Sequence, residues 1–283
     1  MGRAVLYPNS NMAVFSSRKQ KNFSPWYGFL ILAVIAIAFG LKIFDTLRPD
    51  RTPTSDVPTV SYEDIVKEDG EVVEPEPEVE VVLPEPDVEE PEALPIELNL
   101  AVPFTSQAPT GNWDALHEDA CEEASFFMAV EFYNGRAAGK VDPALVDPEL
   151  YKMVDLQTSL GMGYSISAAE AVRFIDEYYG LETVIVDNPT VEDIKELVAA
   201  GKPVIVPAAG RELGNPNFTG EGPLYHMYVI RGYTADTFIT NDPGTRNGEN
   251  YIYAIDVVMN SIGDWNNGDP TNGAKRIFYI EPR

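Results

Sequence analysis

Positions 26–44 read WYGFLILAVIAIAFGLKIF, an apolar run whose only charge is Lys42. At ~1.5 Å rise per residue this run makes a helix of roughly 28 Å, about the thickness of a bilayer's hydrocarbon core. Trp26 and Tyr27 stand where an interfacial aromatic pair belongs, and Lys42 can snorkel to the far headgroups. The pattern predicts one transmembrane helix over residues 26–44, preceded by a basic tail at 1–25. A cleaved signal peptide is the rival, suggested by Ala36 and Ala38, but the apolar run continues past them. From 71 to 95 the pattern changes to EVVEPEPEVEVVLPEPDVEEPEALP, where like charges repel and prolines favour extended geometry. Residues 45–97 read as an acidic, Pro-, Glu- and Val-rich disordered linker. If the ~46 residues of 52–97 approached ~3.1 Å each, they would span on the order of 140 Å. That suits a spacer carrying a domain away from a membrane; the alternative is a linker whose length hardly matters.

A folded domain is expected over residues 98–283. In DACEEASFFMAVEFY the only charge between Ala124 and Tyr133 is Glu131, so the segment predicts a helix buried nearly all round. Asp119 suits its N-cap, with Glu122 and Glu123 in a solvated first turn complementing the helix dipole. Ser167 is expected to cap AAEAVRFIDEYYG, ending at Gly180, and Thr190 to cap VEDIKELVAAG. ETVIV, KPVIVPA, LYHMYVIRGY and FITND read as strands, and RIFYIEP as an added edge strand. Helices first and then a sheet make an α+β arrangement. The segment 210–222 reads as a surface loop, with the border of a cleft as the alternative.

Charge and composition narrow the function. The chain has 20 basic and 45 acidic residues, a net charge of −25. Residues 1–51 carry +5, whereas 52–97 and 98–283 carry −15 each. No basic face is available for neutralising phosphates, so nucleic acid is excluded as a partner. The acidic domain is a soluble surface or favours basic substrates. Four basic residues before the apolar run against three after it point to an inside N-terminus and an extracytoplasmic domain. A single cysteine, Cys121, excludes an intramolecular disulfide and any multi-cysteine metal site.

Cys121 stands at the predicted helix start, a position that favours the thiolate, although two neighbouring carboxylates oppose it. His226 lies on a predicted strand, and Asp242 follows the next strand, before Pro243 and Gly244 turn the chain. Neighbouring antiparallel strands can bring Asp242 beside His226 and hold its imidazole in one tautomer. Gln107, in AVPFTSQAP, offers a side-chain amide for an oxyanion together with the Cys121 backbone N–H, and Trp113 lies between the two. His117, four residues before Cys121, reads as a surface-loop residue, and a metal site with His226 is disfavoured for want of four ligands. Each residue alone has a structural alternative: a buried thiol, a core histidine, a turn aspartate.

Together, VPFTSQ, the tryptophan, Cys121 opening an apolar helix, GKPVIVP, HMYVIRGY and ITNDPG resemble the bacteriocin-processing branch of papain-like cysteine peptidases, the family 39-like group. The resemblance implies a papain-like fold. It also implies Cys121 as nucleophile, His226 as general base and acid, Asp242 as orienting residue and Gln107 as oxyanion donor. Neither metal nor organic cofactor is required. Many relatives have Cys-Gly-Pro at the nucleophile, whereas Glu122 and Glu123 follow Cys121 here. No phosphate-binding loop or further span follows Pro243, so leader removal by a transporter-linked enzyme is not carried over. The reading is a membrane-tethered thiol hydrolase of peptide or amide bonds acting on a peptide or protein substrate. The alternatives are an inactive peptide- or envelope-binding module on the same fold, and an acyl transferase working through a Cys thioester. Oligomeric state is not legible in the sequence.

Overall fold

The computed structural model describes residues 52–68 and 93–282. The basic tail, the apolar run at 26–44 and most of the acidic stretch fall outside the described residues. Among the described residues no helix is long and apolar enough to cross a membrane.

Among the described residues six α-helices surround one sheet. Helix α1 spans Tyr62–Glu68, α2 Cys121–Tyr133, α3 Pro143–Ser159 and α4 Ala168–Tyr179. Two more follow, α5 over Val191–Ala199 and α6 over Ile255–Ser261. Ser167 and Thr190 each close a capping box, with Glu170 and Asp193 respectively, and Gly180 ends α4 in the left-handed conformation at φ 64°. Helix α3 starts on Asp142, whose carboxylate accepts from Ala144 N, with Pro143 at the first turn. Its buried side, Val146, Leu150, Met153 and Gln157, follows helical spacing.

The strands are β1 Leu98–Asn99, β2 Pro103–Phe104, β3 Gly139–Lys140, β4 Thr183–Asp187, β5 Val204–Ala209, β6 Tyr225–Tyr233, β7 Thr237–Asn241, β8 Tyr251–Ala254 and β9 Arg276–Ile280. β2 and β3 form a small parallel pair. The main sheet is antiparallel in the order β4-β9-β5-β6-β7-β8, with β1 joining the end of β6. RIFYIEP is therefore not an edge strand: β9 is inserted between β4 and β5, and its Ile277, Phe278 and Ile280 are fully buried. Every residue of β5 and β6 is buried, so both faces of the sheet centre are covered. α2 packs on β6 and β5, and its eleven buried residues include Phe126, Met128 and Phe132 in the main core. A kinked pairing at Ile230 and Gly232 puts Arg231 inside, where it donates to Asn99 Oδ1, Leu100 O and Asn241 Oδ1.

Residues 52–68, expected within the linker, lie on the domain. Ile252 N donates to Pro53 O at 2.8 Å and Ser55 N to Asn250 O at 3.0 Å, so the segment extends the β8 side of the sheet. Val60 N then donates to Asn99 O and Ala101 N to Val60 O, and Asn99 Nδ2 donates to Val57 O. Tyr62 meets Phe132 and Tyr133 edge-on at 5.6 and 5.1 Å, and Ile65 sits against Gly201. Tyr62 and Ile65 supply an apolar face, Tyr62 against α2 and Ile65 against Gly201, a helical spacing hidden among the surrounding acids. The described segments 52–68 and 93–282 thus belong to one unit.

Candidate active site

Cys121 is the first residue of α2, with Ala120 as the N-cap at φ −92° and ψ 28° and no side-chain cap bond. Asp119 does not cap the helix as expected, because the preceding residues form a tight turn that carries the chain into α2 through Ala120. Cys121 is buried, and so are Glu122 and Glu123, at 1% and 0% exposure. A solvated first turn is therefore ruled out: the side chains that open α2 are buried at the floor of a cleft. The Cys121 thiol donates to Glu122 Oε2 at 2.9 Å, and Ile166 N donates to Glu122 Oε1 at 3.3 Å.

His226 stands near the start of β6, opposite Ala208 of β5, and Asp242 follows the last residue of β7. The strand pairing brings them together: His226 Nε2 lies 2.7 Å from Asp242 Oδ1, both fully buried. A carboxylate only accepts, so Nε2 carries the proton and Nδ1 is left as the basic nitrogen. Asp242 also accepts from Gly244 N at 2.9 Å, Tyr253 Oη at 2.6 Å and Asn215 Nδ2 at 3.2 Å. Burial alone would raise the Asp242 carboxyl, but the His226 charge and these donors hold it below its ordinary value. Phe218 meets the His226 ring edge-on at 5.3 Å, and Gly244 lies so close that a Cβ there would stand 2.9 Å from His226 Cε1.

Cys121, His226, Gln107 and Trp113 all line one cleft of about 1020 Å³, together with Phe218 and Trp265. Two different elements, a helix start and a strand, thus converge on it. The 210–222 segment contributes Phe218 to this cleft and Asn215 to the Asp242 carboxylate, so it borders the site rather than forming a plain surface loop. Burial pushes the Cys121 thiol well above its ordinary value, and Glu122 adds to the rise by charge and by hydrogen bond. A backbone bond from Met227, the neighbour of His226, works the other way. Burial also raises the Glu122 carboxyl, and the thiol, backbone donors and His226 limit it to about 7. Glu123 is pushed well above the carboxylate range by burial and then by Glu122.

Gln107 is held by Pro243 O, which accepts from its backbone N–H at 2.9 Å. Its side-chain Nε2 donates to His117 O at 2.8 Å and to Glu118 O at 2.9 Å, so both amide hydrogens are committed to carbonyls. The Cys121 N–H, among the first N–H groups of α2, has no partner within the helix and is the donor that the geometry leaves for an oxyanion. His117 is not a surface residue: it is 1% exposed, with Nδ1 2.9 Å from Asp114 Oδ1. Its Nε2 lies 3.2 Å from Asp147 Oδ1 without hydrogen-bond geometry, and Tyr151 closes the ring edge-on. Among the described residues no group of three or more His, Cys, Asp or Glu is placed to hold a metal ion. Asn215 and Tyr253 escaped sequence reasoning. Only the Tyr251/Tyr253 alternation in β8 and the turn residues around Asn215 carried any signal for them.

A thiol opening a buried helix and a carboxylate-held histidine on an antiparallel sheet thus line one cleft, an arrangement that fits a papain-like fold and a cysteine peptidase-like class. The chain belongs to the peptidase C39-like family, whose sequence model matches residues 99–270. A solved structure described as a putative C39-like peptidase from Bacillus anthracis is similar at 14% identity and a TM-score of 0.43, covering 66% of this chain and 98% of that one. No curated protein matches the sequence.

Proposed function

We propose that the chain is a thiol hydrolase of peptide or amide bonds, with Cys121 as nucleophile, His226 as general base and acid and Asp242 as orienting residue. The observation that carries this reading is the 2.7 Å contact between His226 Nε2 and Asp242 Oδ1, inside the cleft that Cys121 also lines. Asp242 presents the His226 Nδ1 lone pair, which takes the thiol proton. The thiolate attacks the substrate carbonyl, the imidazolium protonates the leaving amine, and water releases the acyl group. The Cys121 N–H is the standing oxyanion donor. Gln107 joins it only after its amide lets go of the His117 and Glu118 carbonyls.

The segment at 26–44 anchors this unit in a membrane, with the N-terminus inside and the domain extracytoplasmic, on the strength of its apolar length and flanking charges. Protease shaving of intact cells that spared residues 98–283 would count against that topology. The enzymatic reading is tested by iodoacetamide alkylation of Cys121 across pH in the wild-type chain and in His226→Ala. A reactive thiolate that depends on His226 supports it, and a profile indifferent to His226 overturns it. A second reading, a peptide-binding module without turnover, is favoured by the Cys121 thiol donating to Glu122. Peptide binding without any covalent adduct to an electrophilic probe would establish that one.

A further inference from the structure

Glu122 follows the nucleophile directly in sequence, and neighbouring side chains on a helix ordinarily diverge by about 100°. Here they turn toward each other, with Cys121 Sγ and Glu122 Oε2 2.9 Å apart. The other carboxylate oxygen, Oε1, accepts from Ile166 N in the loop ahead of α4, which aims the group at the sulfur instead of at solvent. Both side chains are buried, at 5% and 1% exposure. The titratable groups facing this carboxyl are Cys121 and Glu123 from α2 and Tyr225 and His226 from β6. Tyr225 cannot serve as its donor, since its hydroxyl is committed to Ile166 O at 2.9 Å.

We propose that Glu122 belongs to the proton machinery of the nucleophile: as a carboxylate it holds Cys121 as a neutral thiol, and on taking up a proton it becomes a donor to sulfur and the thiolate forms. This rests on Cys121 being the nucleophile. The step balances as follows in atoms and charge. One proton from solvent adds to Glu122, giving a neutral acid. The S–H proton passes to His226 Nδ1, and its bonding pair stays on sulfur. Thiolate, imidazolium and carboxylic acid result, with the Glu122 O–H now donating to the sulfur. Two effects that had raised the thiol, the adjacent negative charge and the accepted S–H bond, vanish together. Burial raises the carboxyl to about 7, so this exchange falls in the neutral range.

The chain has one cysteine, so alkylation of the full-length protein reports Cys121 alone. The rate with iodoacetamide is measured from pH 5 to 9 for wild type, Glu122→Gln, Glu122→Asp and His226→Ala. Glu122→Gln, nearly isosteric and uncharged, is expected to lower the alkylation midpoint by a unit or more and to raise the rate at least tenfold at pH 8, where wild type carries the Glu122 carboxylate, with little difference at pH 6, where wild-type Glu122 is already protonated. Glu122→Asp keeps the charge and should stay near wild type. Coincident profiles for wild type and Glu122→Gln, or a higher midpoint in Glu122→Gln, overturn the proposal. If Glu122→Gln does not fold, the Glu122 carboxyl is followed by infrared spectroscopy in wild type before and after alkylation. Loss of the S–H donor should move its titration upward, and no movement overturns the proposal. A midpoint indifferent to His226→Ala would remove the cysteine–histidine pair while leaving a Glu122→Gln shift in support of the carboxylate's role.

Discussion

Glu123→Met should make the protein's stability less sensitive to pH. The Glu123 side chain is fully buried, and neither carboxylate oxygen has a hydrogen-bond partner. Burial, then the neighbouring Glu122 charge, pushes this carboxyl well above its ordinary 4.5, so the folded chain keeps it neutral. A raised folded-state value means that the neutral form's contribution is complete below the unfolded pKa. It is lost as pH rises from about 4.5 toward the folded value. Each pH unit inside that window costs about 1.4 kcal/mol. Methionine fills a similar volume and has no proton to lose, so the variant escapes this slope. Urea unfolding of residues 52–283, followed by circular dichroism at pH 5 and pH 7, measures both slopes. The variant's advantage should widen from pH 5 to pH 7, by about 1.4 kcal/mol for each pH unit inside the window. A constant or shrinking difference would refute the assignment of Glu123 as a buried neutral acid.

Tyr253→Phe removes a 2.6 Å bond to Asp242 and should cost about 1–3 kcal/mol in unfolding. It should also slow Cys121 alkylation at neutral pH, because the carboxylate that orients His226 loses a donor. Gly244→Ala drives a Cβ to within 2.9 Å of His226 Cε1 and 2.8 Å of Phe218 Cε1. The expected cost is about 1–3 kcal/mol, with a larger fall in alkylation rate than the stability loss alone predicts, read by comparing the two assays. A chain beginning at Leu98 loses the Tyr62 and Ile65 contacts and the backbone bonds of residues 53–60. Its melting temperature should fall by several degrees against a chain beginning at Thr52, a difference of about 2–4 kcal/mol.

Local signals carried much of the architecture. Ser167 with Glu170, Thr190 with Asp193 and Gly180 at a helix end are short-range chemistry, and each behaves as its sequence neighbours dictate. The pairing of His226 with Asp242 was also legible, since antiparallel strands place their near ends together. What remained hidden depends on contacts between distant segments. RIFYI has the same alternation whether it lies at an edge or between β4 and β5, so strand order leaves no mark on it. Two adjacent glutamates at a helix start read as solvated because nothing nearby in sequence announces that β6 covers that end. Helix α3 was obscured by Pro148 inside it, although Val146, Leu150 and Met153 keep the helical spacing. Gln107 stands beside the site as its motif implied, but the direction of its amide is set by the His117 and Glu118 carbonyls, reached through a turn that no periodicity describes.

The attachment of residues 52–68 changes what the acidic stretch can do. Residues 69–92 contain eleven carboxylates and no basic side chain, and the chain on either side of them returns to the same unit. Adding residues there would not move Thr52 farther from the sheet, so the stretch does not act as a measuring rod. Those eleven charges lie in sequence between two segments held on one unit, and they raise the local concentration of cationic solutes and repel anions. At roughly 0.1 M salt the field reaches only about 10 Å beyond each charge, which makes that enrichment a property of dilute electrolyte and one that added salt should abolish.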